Sequence, residues 1–201
     1  MKIGLTIIKR AVPLACSALL VSGGAQAALQ DRDLDGDTVV DAFYDTDRDI
    51  TWLRNADVNG PMDWNSAVAW ANGLIFAGFS DWRLPTLGPT DNCVGVSCAG
   101  GEMGHLWYVE LGNSPGAMTN TGDFQNLLPS IYWYAGGVWN PGSAWAFNMS
   151  FGNQGTAPAT DAWYAMAVRD GDVPSIPEPE THALMLAGLG LLALARRLQR
   201  R

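Results

Sequence analysis

Hydrophobic and polar positions divide the chain into two apolar ends and a patterned middle. Near the start, Lys2, Lys9 and Arg10 precede an apolar run from Ala11 to Val21, followed by the small-residue stretch Ser22 to Ala27. Near the other end, Ala183 to Ala195 carries no charge, and Arg196, Arg197, Arg200 and Arg201 follow it closely. In the middle, Phe43 and Tyr44 stand before the polar turn Thr46-Asp47-Arg48-Asp49, with Ile50, Trp52 and Leu53 after it. That pattern predicts a β-hairpin over Ala42 to Leu53. Asp63 is a good N-cap for a helix carrying Trp64, Ala67, Val68 and Ala71 at helical spacing, with Gly73 as its stop. A second helix is expected from Glu102 to Leu111, with Met103, Leu106 and Trp107 on one side and Gly112 at its end. Beyond Gly112, Ile131 to Tyr134 and Trp145 to Met149 alternate in strand fashion, and Ala162 to Val168 reads as a final strand. Helices early and short strands late, joined by long loops, predict an α+β domain.

The two apolar ends have different meanings. Charge, then an apolar core, then an Ala-x-Ala site is the order of a secretory signal peptide, expected over residues 1–27 with cleavage by signal peptidase after Ala27. The C-terminal run is short of the roughly 20 residues that a membrane crossing needs. Counting from Thr181 to Leu198 supplies the length if arginines snorkel outward, and residues 181–201 are therefore expected to form a transmembrane helix with its arginines on the cytoplasmic side. A linker over residues 171–180 contains Pro177-Glu178-Pro179-Glu180. Pro-Glu-Pro, an apolar helix and a terminal arginine cluster together resemble the PEP-CTERM sorting signal. The resemblance implies recognition by an exosortase in the inner membrane and processing around Pro177, Glu178 and Pro179. It also implies release or attachment outside the cell, in a setting of exopolysaccharide production.

Removing both ends sharpens the charge. The whole chain carries −8, but the body from Ala28 to Glu178 has five arginines, no lysine and nineteen carboxylates, for about −14. Nucleic acid and other polyanions are disfavoured as partners, because such binding rests on cations that neutralise phosphates or sulfates. Divalent cations, neutral glycans and proteins remain. All twenty aromatic residues lie between Phe43 and Tyr164, so the folded domain is expected over residues 42–170, with residues 28–41 as an acidic arm. Cys93 and Cys98 are the body's two cysteines, and outside the cytoplasm they are expected to form a disulfide. A metal site would need two further soft ligands, and the body has one histidine, His105.

The first helix leads directly into Gly78-Phe79-Ser80-Asp81-Trp82-Arg83-Leu84-Pro85-Thr86. This order resembles the Lcl C-terminal domain family, and the likeness continues through Glu102 to Leu106, Tyr132-Trp133, Ala144 to Phe147 and Trp163 to Arg169. The helix followed by Arg-Leu-Pro-Thr is also similar to the core of formylglycine-generating enzymes, which implies a C-type-lectin-like fold. Their late copper-binding cysteine pair has no counterpart after Cys98, so the resemblance does not extend to that oxidase chemistry. Physically, Trp82, Arg83 and Pro85 read first as a folding clasp, with a ligand site as the other reading. Arg83 is positioned to pair with a buried carboxylate and to stack on a ring, and Pro85 fixes the chain direction.

Three constellations offer function. Asp33, Asp35 and Asp37 alternate around a bend that Gly36 permits, with Asp41 beyond them, in the manner of a calcium loop that lacks the closing glutamate of an EF-hand. The other reading is a solvated acidic arm. Glu102 and His105 are spaced as an acid–base pair one turn apart, or as ordinary helix packing. Trp133, Trp139 and Trp145 lie in or beside glycine-rich stretches, where exposed rings would stack on sugars, against a default of core packing. The expected function is an exported, non-catalytic surface or matrix-associated domain that binds glycan or protein, with calcium as its one candidate cofactor. A structural matrix component without a ligand is the alternative. An extracellular hydrolase would require acids such as Asp123 and Asp161 to meet across a cleft.

Overall fold

The computed structural model describes residues 29–88, 92–136, 140–173, 185–191 and 196. Two four-stranded antiparallel sheets and short helices make a mixed α+β domain. Strand β1 (Leu29–Arg32) pairs with β2 (Ala42–Asp45), and β2 forms the expected hairpin with β3 (Ile50–Leu53). The register places Phe43 opposite Trp52 and Asp45 opposite Ile50. The acidic arm is thus built into the sheet, with Leu34 buried behind it.

Helix α1 spans Trp64–Gly73, capped as its sequence demands: the Asp63 carboxylate accepts from the Ser66 amide and hydroxyl. Ala67 and Ala71 form its buried edge. A short strand β4 (Gly95–Val96) follows, next to the Cys93–Cys98 disulfide. The expected second helix starts at Glu102 but changes its winding. Residues Glu102–His105 form the α-helical turn α2, and Leu106–Glu110 continue as a π-helical turn in which Leu111 N donates to Leu106 O at 2.9 Å.

The second sheet orders β4, β7 (Asn153–Pro158), β6 (Ser143–Asn148) and β5 (Ile131–Trp133). The expected strand over Ala162 to Val168 shifts to β8 (Val168–Asp170), which pairs with β3 in the first sheet. Residues 163–167 instead reach several neighbours. Trp163 exchanges backbone bonds with Met62, and Tyr164 bonds to Ile131 and Trp133. Tyrosines, tryptophans and methionines fill the main core, with Trp52, Trp107, Tyr132, Tyr134 and Phe147 fully buried.

Residues 185–191 are helical and exposed, and among the described residues no helix is long and apolar enough to cross a membrane. The transmembrane helix expected over 181–201 is therefore not seen, and most of that segment lies outside the described residues.

Candidate functional site

The Arg-Leu-Pro segment sits where the two sheets meet. Arg83 exchanges both backbone hydrogen bonds with Val168, at 2.8 and 2.9 Å, and the Pro85 carbonyl accepts from Ala135 just beyond β5. The Arg83 guanidinium forks onto Glu102, with Nη1 donating to Oε2 at 2.9 Å and Nη2 to Oε1 at 2.8 Å, and it also reaches Asp170. Glu102 is 8% exposed and accepts a further bond from the Thr86 amide at 2.6 Å. Burial alone would lower the arginine's pKa, but the hydrogen bonds and charges of Glu102 and Asp170 hold it above its ordinary value. Trp82 is buried with its indole N–H on the Phe79 carbonyl. The expected buried carboxylate is thus Glu102. Stacking on rings falls instead to Arg32 over Tyr44 and Arg169 over Phe79.

The acidic loop closes on itself. Asp33 Oδ1 accepts from Asp35 and Gly36 amides and Oδ2 from Thr38, while Asp41 Oδ2 accepts from Leu34. Gly36 at φ 83° and Thr38 at φ 74° make the bend. One carboxylate oxygen from each of Asp33, Asp35 and Asp37 lies within 4.8 Å of the others. Desolvation opposes the ionisation of Asp33, yet amide donors led by Thr38 and Gly36 hold it below the usual carboxylate range. Asp41 is pushed up, first by burial and then by the charges of Asp35, Asp37 and Asp33.

The aromatic surface is not where glycine-rich sequence places it. Trp133 is fully buried with its N–H on the Met62 carbonyl, and Trp145 is 5% exposed in the main core. Both belong to the second sheet: Trp133 stands opposite the small Ala146, and Trp145 stands opposite Thr156. Neither ring presents a face to solvent. Trp139 lies outside the described residues. Trp64 is half-buried, packed against a second core cluster, and lies at an open surface. It walls a shallow depression of about 440 Å³ together with Asp63, Asn65, Gly142, Ala159 and Thr160. Its indole N–H donates to the Tyr134 carbonyl at 2.9 Å, and its backbone amide to Ala159 at 3.0 Å, so the ring is held in place. Asn65 and Thr160 are exposed beside it.

Comparison with protein families gives two matches. The Lcl C-terminal domain matches residues 41–169, which is most of the described fold. The chain belongs to the Lcl C-terminal domain family. The PEP-CTERM protein-sorting motif matches residues 175–201 and marks this family member as an exported protein processed by an exosortase. Among curated proteins, no match to the chain was found.

Within this Lcl C-terminal domain, Glu102 and His105 do not act as a pair. Glu102 turns to Arg83, and His105 turns to Glu110, with Nε2 and Oε1 3.1 Å apart. Asp123 sits beside Arg54, which donates to its carbonyl, and Asp161 lies in the turn after β7. The processing residues Ala27, Pro177, Glu178 and Pro179 lie outside the described residues. Two features escape the sequence reading. Helical spacing places Trp64 on a helix face, and only Gly142 and Ala159, far along the chain, turn its flank into a depression. Asp45 and Glu110 join His105 only because β2 ends against the π-helical turn.

Proposed function

We propose that this protein is a non-catalytic surface or matrix-associated module, delivered by the exosortase route, that binds neutral glycan in the depression walled by Trp64. The observation that carries this reading is the fixed Trp64 ring between exposed hydrogen-bonding side chains. A ring already held by Tyr134 and Ala159 loses little freedom when a sugar stacks on it. Asp63, Asn65 and Thr160 supply polar atoms at the lip for hydroxyl groups. The strongly acidic body favours an uncharged glycan over a polyanionic one. A C-type-lectin-like fold belongs to this reading, supported by the α+β layout and by the helix that leads into Arg83-Leu84-Pro85-Thr86.

The experiment is a neutral-oligosaccharide array probed with the secreted protein and with Thr160→Trp. Thr160 is exposed, so the larger side chain should fill the depression without disturbing the core. Binding by the wild type and a loss of tenfold or more in the variant, at unchanged melting temperature, is the expected result. Binding that survives the substitution would move the ligand elsewhere. No binding to any glycan would favour a structural matrix component without a discrete ligand.

Calcium in the loop of Asp33, Asp35, Asp37 and Asp41 is the second part of the proposal. The three clustered carboxylates support it, and the role is to tie β1 to the hairpin. Calcium at ten times its Kd should then stabilise the wild type by about 1.4 kcal/mol and leave Asp35→Asn nearly unchanged. Because Asp41 has a raised pKa in the folded loop, its charge costs stability above the unfolded value, and a cation removes that cost. The calcium effect should be full at neutral pH and fade as pH falls through the folded pKa of Asp41. A melting temperature indifferent to millimolar calcium at neutral pH would refute it.

A further inference from the structure

A second carboxylate cluster lies in the core, away from Trp64 and the acidic loop. Asp45 at the end of β2 has a side chain with no exposed surface, as does Glu110, and His105 between them is 8% exposed. The π-helical turn creates the meeting. In a regular α-helix, side chains five residues apart point about 140° away from each other. The wider winding of residues 106–110 brings position 110 back to the face of position 105, and Glu110 Oε1 comes to 3.1 Å from His105 Nε2.

Asp45 makes its well-formed hydrogen bonds through one oxygen. Its Oδ1 accepts from the Asp47 and Arg48 amides, both at 3.0 Å, while its Oδ2 makes no well-formed hydrogen bond and faces His105 Nε2 at 3.9 Å, with the Trp52 indole N–H also near the carboxylate. A buried carboxylate oxygen left in this way is unfavourable unless a cation or proton meets it. Arg48 lies near, but its guanidinium donates to the Ala99 carbonyl. Asp47, half exposed, brings Oδ2 to 4.0 Å from the same histidine nitrogen.

We propose that Asp45, His105 and Glu110 form a binding site for a zinc-class divalent metal ion, with Asp47 at its open side. One donor atom from each of the three buried residues lies within 4.8 Å of the others. A tetrahedral ion with bonds of 2.0–2.1 Å holds its donors about 3.3 Å apart, so the 3.1 Å separation of Glu110 from His105 would open slightly and the 3.9 Å separation of Asp45 would close by about 0.6 Å. The imidazole decides the ion class. Calcium and magnesium take oxygen donors, whereas one nitrogen with carboxylates suits zinc. The ion would join β2 to the π-helical turn, and Asp47 or water would complete its shell.

The test uses the full-length chain in detergent, stripped with chelator and titrated with zinc chloride by calorimetry. One equivalent bound with micromolar or tighter Kd and a raised melting temperature is expected. Glu110→Gln should weaken binding by at least tenfold, and Asp35→Asn in the separate acidic loop should leave it unchanged. Should Glu110→Gln fail to fold, Asp47→Asn and the visible spectrum of the cobalt-loaded wild type provide the readout. A several-fold loss in Asp47→Asn with strong tetrahedral cobalt bands supports the site. Absence of binding, affinity equal in Glu110→Gln, or, where that variant does not fold, octahedral cobalt bands would overturn the site and leave a hydrogen-bonded histidine–carboxylate triad.

Discussion

Replacing Arg83 with leucine is expected to cost the domain about 3–5 kcal/mol, the range for stranding one partner of a buried ion pair. Glu102 would keep its place under the sheets with only the Thr86 amide to answer its charge. A loss of that size rivals the whole stability of many domains, so the variant should be largely unfolded or strongly shifted to lower denaturant. Urea titration followed by tryptophan fluorescence measures it directly. Arg83→Leu combined with Glu102→Leu should lose much less than the sum of the two single changes, because no charge is then left alone. Strict additivity would mean that the fork contributes little. Arg83→Lys should fall between, since an ammonium cannot make two parallel bonds to one carboxylate.

Gly104→Ala tests packing against propensity, and the two disagree in sign. Alanine is favoured over glycine inside a helix by about 1 kcal/mol. At position 104, however, an added Cβ would stand 1.8 Å from the Cys98 carbonyl oxygen and 3.3 Å from Ala99 Cα. The disulfide-closed loop lies directly against α2, and the clashing atom is backbone, so relief requires the helix and loop to separate. A net destabilisation of about 3 kcal/mol or more is expected. Gly73→Ala in α1 is the control, because nothing lies within 4 Å of its added Cβ. Differential scanning calorimetry should show the first variant melting well below the wild type and the second at or slightly above it. Equal melting of Gly104→Ala and wild type would show that α2 does not need this close approach.

These two positions also mark how far the sequence could be read. The β2–β3 hairpin, the Asp63 cap, the Cys93–Cys98 bridge and the pairing of Arg83 with a buried acid follow from local pattern and from charge scarcity. Strand β1 has the polar pattern Leu-Gln-Asp-Arg, and β7 reads Asn-Gln-Gly-Thr-Ala-Pro. Neither has an apolar alternation, and both exist because a more apolar neighbour supplies the ladder. The π-helical turn is invisible to a 3.6-residue period, so the juxtaposition of His105 and Glu110 was invisible too. The burial of Trp133 and Trp145 had a signal that was available, since Ala144-Trp145-Ala146-Phe147 alternates small and large side chains as a packed strand does.

The most direct measurement of the proposed function is hydrogen–deuterium exchange on the secreted protein with and without a neutral oligosaccharide selected from the array. Protection confined to the segments around Asp63 to Asn65, Gly142 and Ala159 to Thr160 is the predicted result. Protection centred on another face, with these segments unchanged, would contradict binding at Trp64.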